Sequence, residues 1–221
     1  MIKRETKTPI KTPPLRQPGQ SLREHIMDVA NDQLWPLIMM MTMTWMWAIL
    51  EWCGTLFHLP RHPWIYTLIA ACCTGYAYLV KLPKIKRELR NYRRGEEGEA
   101  AVGQLLEEKL RPMGYHIFHD IPAEGFNLDH VAIGPAGVLC IETKTYGKPI
   151  SGQTIISFEQ GQVLVNGYAL PRNPIEQAKG NAKWLMDIME EMTAHRFLVQ
   201  PVVVFPGWCV DFMPQGLGAW V

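Results

Sequence analysis

The sequence predicts an α/β domain on a mixed sheet, preceded by two membrane-spanning helices. Three observations predict it. Two uncharged apolar runs fill 34–50 and 64–80. Short apolar runs separated by turn residues follow between 115 and 167. Helical patterns at 96–110 and from Asn173 onward flank those runs, and a last apolar run ends near Phe205.

The first 33 residues read as a disordered basic tail, with six Lys/Arg against four Asp/Glu and with prolines at 9, 13, 14 and 18. The next stretch, 34–80, reads as a two-helix transmembrane hairpin. Its charged residues are only Glu51 and Arg61, and each run approaches the roughly 17–25 residues that a spanning helix needs. Trp35, Trp52 and Trp64 fall near the ends, where aromatic belts sit. Ending the first span near 53 puts Glu51 close to the headgroups. The plainer alternative is a buried helical hairpin in a soluble core.

Residues 81–94 carry seven Lys/Arg against Glu88 alone. They extend the second helix as a basic juxtamembrane segment suited to anionic headgroups, with phosphate contacts for the domain beyond as the second use. Basic flanks on both sides of the hairpin place both termini, and the domain after it, on the cytoplasmic side of the inner membrane. The segment 34–50 does not read as a cleaved signal peptide, because a long polar stretch precedes it and no small-residue cleavage site follows.

The domain 95–221 opens with an amphipathic helix, 96–110, striped by Val102, Leu106 and Leu110. Glu99 lies seven residues before Leu106 and therefore on that stripe. It either serves a site or, with Glu96 and Glu97, merely favours the helix N-terminus. A strand at Tyr115–Phe118 follows. The runs 128–133 and 138–144 flank Gly134-Pro135-Ala136-Gly137 and form a hairpin. A second hairpin joins 155–158 to 163–165, and Asn166-Gly167 marks another turn. Asn173-Pro174 opens a helix with an N-cap and a proline at the first position. Its inward stripe of Trp184, Leu185, Ile188 and Met192 continues back through Gln177 and Asn181, two amides where apolar residues are expected. The run 197–205, all apolar around Val202-Val203-Val204, reads as a central buried strand.

Pairing Ile133 with Val138 across the first hairpin sets Asp129 opposite Glu142. Side chains so placed lie about 4.5–5.5 Å apart, and like charges there repel. A divalent cation between them would turn the repulsion into a site. By strand alternation Lys144 shares the face of Glu142. Glu99 and Gln177 come to the same region from the two helices. Oxygen ligands without Cys or His suit Mg²⁺ or Mn²⁺. The plainer alternative makes Glu142 and Lys144 a solvated strand end.

Motifs in order carry a resemblance: Gly95-Glu96-Glu97-Gly98-Glu99, Asn127-Leu128-Asp129-His130, Ile141-Glu142-Thr143-Lys144, Asn173-Pro174-Ile175-Glu176-Gln177 and Pro201–Phe205. From about 95 to 205 the chain resembles the NERD (nuclease-related) domain family, which looks like a member of the PD-(D/E)xK, restriction-endonuclease-like superfamily. That resemblance implies a restriction-endonuclease-like mixed sheet flanked by helices. It implies metal binding by Asp129 and Glu142, Lys144 assisting the attacking water, and Glu99 and Gln177 completing the site, with the Thr143 carbonyl as a third ligand. The expected function is a membrane-anchored, Mg²⁺-dependent nuclease acting on nucleic acid, with DNA first. The alternative is an inactive nuclease fold that binds DNA or a protein at the membrane.

Charge argues on the other side. Residues 95–221 hold eight basic and fifteen acidic side chains within a chain of net charge +1, and non-specific nucleic-acid affinity comes mainly from Lys and Arg on phosphates. The five cysteines form no Cys-x-x-Cys pair, which excludes a zinc ribbon and gives no sign of a disulfide scaffold. His116, His119 and His130 are expected to point to both faces of their strands rather than to form a zinc set.

Overall fold

The computed structural model describes residues 15–55, 62–148, 154–159, 162–211 and 218–221. The chain divides into two compact units. One comprises 21–97; the other joins 1–20 to 98–221.

The unit 21–97 is helical. Helix α1 (Gln20–Val29) leads through a π-turn into α2 (Trp35–Thr55); α3 (Pro63–Tyr76) leads through a second π-turn, Ala77–Lys81, into α4 (Leu82–Leu110). The expected tail is thus helical from Gln20 on, while 1–14 lie outside the described residues. Residues 56–61, between the apolar helices, also fall outside them. Helices α2 and α3 pack through the small residues Ala48 and Ala70. The indoles of Trp45 and Trp52 donate to the Thr74 and Thr67 hydroxyls at 2.8 and 2.9 Å. Each hydroxyl in turn donates to the carbonyl four residues back, of Ala70 and Pro63. Polar atoms among these apolar helices are therefore satisfied internally. Large side chains such as Met39, Met43, Trp47, Ile49, Leu50 and Leu68 face outward. Two helical stretches, Gln20–Thr55 and Pro63–Met113, are long and apolar enough to cross a membrane. Helix α1 lies along α4, where His25 stacks on Tyr92 and Arg23 pairs with Glu96 at 2.8 Å.

The second unit is α/β. Its main sheet has the order β1 (His116–Ala123), β2 (Phe126–Gly134), β3 (Gly137–Thr143), β7 (Val199–Val204). The first three strands are antiparallel and β7 adds parallel to β3, so the sheet is mixed as the pattern predicts. Ile133 pairs with Val138 as expected. A smaller sheet orders β6 (Tyr168–Ala169), β5 (Gln162–Val165), β4 (Ile155–Glu159) and β8 (Cys209–Val210). Asn166 and Gly167, at φ 50° and 81°, make the tight β5–β6 turn.

Two sequence expectations change. Strand β7 is not central; it ends the main sheet. Its apolar character has another source, since the Val203 N–H donates to the Trp220 carbonyl and the Trp220 N–H to the Pro201 carbonyl along that edge, and α5 (Pro174–Thr193) packs on the strand. The helix expected to begin at Glu96 is also part of the longer α4. At the start of α5, the Asn173 side chain accepts from the Ile175 N–H at 3.0 Å, with Pro174 in the first turn, as the sequence requires. The core lies between sheet and α5, where Leu128, Val131, Cys140, Ala182 and Leu185 meet.

Candidate active site

Strand β3 carries Glu142 into the interior, where it is 3% exposed. A buried carboxylate needs donors, and the two inward amides of α5 supply them. Gln177 Nε2 donates to Oε1 at 2.6 Å and Asn181 Nδ2 to Oε2 at 2.8 Å. Lys144 Nζ, two residues along the strand, also reaches Oε1 at 2.6 Å. Gln177, expected in the site, is there. Asn181, which the helical stripe points inward, is equally part of it. The solvated-strand-end alternative does not hold for Glu142.

Asp129 is half-buried at the other arm of the hairpin. Paired residues end at His130 and Ile141, and one step further Asp129 Oδ2 accepts the Thr143 backbone N–H at 2.7 Å. The side chain thereby takes the place of a ladder carbonyl. Burial raises the Asp129 pKa well above its ordinary value, and the charges of Glu142 and Glu99 raise it further. Lys144 and the Thr143 N–H oppose them.

Glu99 arrives from α4 at 8% exposure. Burial first, then the charges of Asp120 and Glu142, push its pKa from 4.5 up to about 7. Its helix comes close to the chain after β3 at Gly98, where any Cβ would collide with the Thr145 side chain. The three expected carboxylates and Lys144 therefore act on one another's charge. The Thr143 hydroxyl, buried beside them, has no hydrogen-bond partner.

Asp120 belongs to the same cluster and was not legible as such. It is 1% exposed, sits at φ 50°, and interrupts the β1–β2 pairing between His119–His130 and Ile121–Leu128. Carrying that register through would have set it across from Asp129, but the expected strand stops at Phe118. Arg16 Nε binds Asp120 Oδ2 at 2.7 Å, and Asn127 Nδ2 reaches Oδ1 at 3.3 Å. The Gly19 backbone N–H helps hold Glu99 ionised. Residues 15–20, expected within the tail, therefore line the carboxylate cluster.

Two of the three histidines make a contact that the sequence did not indicate. His119 and His130 meet across β1 and β2 with their Nδ1 atoms 2.9 Å apart, and His119 Nε2 lies 3.3 Å from Glu107. Burial, aided by His119, lowers the His130 pKa to about 3 and keeps it neutral. One consistent arrangement has His130 Nδ1–H donating to His119, whose Nε2–H donates to Glu107. This is a proton-ordered chain rather than a zinc set. The five cysteines are free thiols.

Among the described residues, no three His, Cys, Asp or Glu side chains converge at metal-ligand spacing. The donors nevertheless suit a hard divalent cation. All are oxygen, four acids share only Lys144 and Arg16 as nearby cations, and two of those acids have their proton affinity raised by burial and by neighbouring carboxylates.

The fold and the site thus define an α/β unit that gathers acids and a lysine at the end of its central hairpin. The nuclease-related domain model matches residues 94–206, just over half the sequence, and the chain belongs to the NERD family. No curated protein and no solved structure matches the chain.

Proposed function

We propose that this protein is a membrane-anchored, Mg²⁺- or Mn²⁺-dependent nuclease that hydrolyses phosphodiester bonds, with DNA as its substrate, and that its catalytic unit has the restriction-endonuclease-like form. One observation carries the reading. Glu99, Asp129 and Glu142 come from separate elements to one place, where Lys144 pairs with Glu142 and the Glu142 charge raises the proton affinity of the other two acids beyond the effect of burial.

Asp129 and Glu142, with the Thr143 carbonyl, would hold the cation, and Glu99 would reach it directly or through water. Such a cation lowers the pKa of a bound water and offsets charge on phosphoryl oxygens. Lys144 then orients the nucleophile and neutralises charge that develops at phosphorus. Gln177 and Asn181 fix the Glu142 carboxylate so that it needs little rearrangement. The outward Met and Trp side chains of α2 and α3 support the bilayer as a partner. Basic flanks on either side of the hairpin support the inner membrane, with both termini and the catalytic unit cytoplasmic.

The full-length protein in neutral-lipid nanodiscs should nick plasmid DNA with Mg²⁺ and not with EDTA, and Glu142→Gln should abolish nicking. Undiminished nicking by that variant would end the assignment. The acidic balance of 95–221 favours a second reading, a non-cutting module that binds DNA or a protein at the membrane. Divalent-dependent DNA binding without any cleavage would establish it.

A further inference from the structure

We propose that one face of α4, bearing Lys86, Arg90, Arg93 and Arg94, is a track for the sugar-phosphate backbone of nucleic acid and supplies cationic contacts that the acidic catalytic unit lacks. The proposal deepens the nuclease reading and rests on it. The four residues, with Leu89 and Glu97, line a groove of about 480 Å³. Their spacing of four, three and one returns them to one side of a helix that turns roughly 100° per residue. Lys86, Arg90 and Arg93 are exposed and Arg94 is half-buried. None of the four forms an ion pair among the described residues, whereas neighbouring Glu96 is held by Arg23. Glu97 marks the end of the track.

Helix geometry decides between lipid and nucleic acid. Helix α3, its π-turn and α4 form one helical stretch, and the apolar run within it ends at Val80. At about 1.5 Å per residue, Lys81 and Lys84 lie roughly 2 and 6 Å beyond that point, within a headgroup layer about 5–7 Å deep. Arg90, Arg93 and Arg94 lie roughly 15 to 21 Å beyond it. That is 8 Å or more past the headgroups, about a Debye length or more in physiological salt. Lys81 and Lys84 also project from the other side of the helix. The lipid work therefore falls to Lys81 and Lys84, and the distal arginines are left for another polyanion. Lys86 to Arg94 spreads four cations over about 12 Å of helix. A nucleic-acid strand carries one phosphate per roughly 3.4 Å, so the charge densities match. The fifteen acids against eight bases in 95–221 make the complement necessary.

The test uses the full chain in phosphatidylcholine nanodiscs, in a Glu142→Gln background that leaves the DNA uncut. Binding of a fluorescein-labelled duplex is followed by anisotropy against salt. Replacing Arg90, Arg93 and Arg94 together by Gln should weaken binding at least tenfold. It should also flatten the log–log salt slope by nearly three, from about 0.9 per phosphate contact. Replacing all three by Lys should retain most of the affinity, which separates lost charge from misfolding. Replacing Lys81 and Lys84 by Gln should leave the slope unchanged. A glutamine triple variant that binds like its parent overturns the proposal. So does loss of duplex binding on adding phosphatidylserine to the discs, since the arginines would then be lipid-bound. Cleavage by Glu142-intact chains is scored in parallel. If the arginine variants lose binding while Glu142→Gln has no effect on cleavage, the nuclease assignment falls and the track stands; normal binding with cleavage abolished by Glu142→Gln gives the reverse.

Discussion

Asp129 accepts the backbone N–H of Thr143 across the hairpin at 2.7 Å, using the same carboxylate that would hold a cation. Structural and chemical roles can therefore be separated by choice of substitution. Asp129→Asn keeps an acceptor for Thr143 and should fold normally while losing cleavage. Asp129→Ala orphans that N–H and should also lower stability by about 1–3 kcal/mol. Denaturant unfolding and nicking, measured on both variants, give the comparison. Equal stability of the two would mean the bond contributes little.

Glu142 depends on α5 for two of its three donors. Asn181→Leu removes the donor to Oε2 while keeping a helix-compatible side chain. It should cost about 1–3 kcal/mol, because a buried carboxylate oxygen is left without a partner. Gln177→Ala leaves Lys144 on Oε1, so its stability cost should be smaller. Thermal unfolding by tryptophan fluorescence would rank them, and the opposite order would contradict the assignment of donors.

The pH response follows from Glu99. Its folded pKa of about 7 lies above the ordinary 4.5, so the folded state holds an extra proton between those values. The Glu99 contribution to stability is fully present below about pH 4.5 and is lost as pH rises through 7. The loss is of order 3 kcal/mol for a shift this large. His130, lowered to about 3, acts in the opposite sense as pH falls below its ordinary 6.5. Added Mg²⁺ should restore stability more at pH 8 than at pH 5. Glu99→Gln should flatten the profile, and Asp120→Asn should move its midpoint downward by removing the nearest contributing charge. A Glu99→Gln profile with the same pH dependence as the parent's would show that Glu99 is not held protonated.

Much of this site could be read without coordinates because it is written in local patterns. The turn Gly134–Gly137 fixed the hairpin register, strand alternation aligned Glu142 with Lys144, and helical periodicity turned Gln177 and Asn181 inward. Two things were hidden. Asp120 stands where a left-handed residue breaks the alternation, so no period reports which way it faces. The approach of residues 15–20 is a contact across about a hundred positions, and nothing in the composition of a proline-rich segment announces where it docks. The edge placement of β7 was hidden for a related reason: apolar runs report burial, not whether a strand or a terminal segment supplies the cover.

Arg16→Ala removes a cation from an aspartate that is 1% exposed. Breaking such a pair costs about 3–5 kcal/mol where nothing else compensates. Asn127 still contacts Asp120, so the lower end is expected. Limited proteolysis near residue 16 should accelerate in the variant. Unchanged protection would show that the segment is held by other contacts, such as Pro18 against Gly103.

The α/β unit is discontinuous in sequence: residues 1–20 belong with 98–221, and 21–97 lie between them in the chain. A biochemist who trims away the apolar hairpin to obtain a tractable fragment would also discard Arg16 and Gly19. That fragment would leave Asp120 without its arginine and Glu99 without the Gly19 N–H, and poor behaviour in the tube would say nothing about the intact protein. Splicing 15–20 back onto the fragment through a flexible tether is the more faithful dissection.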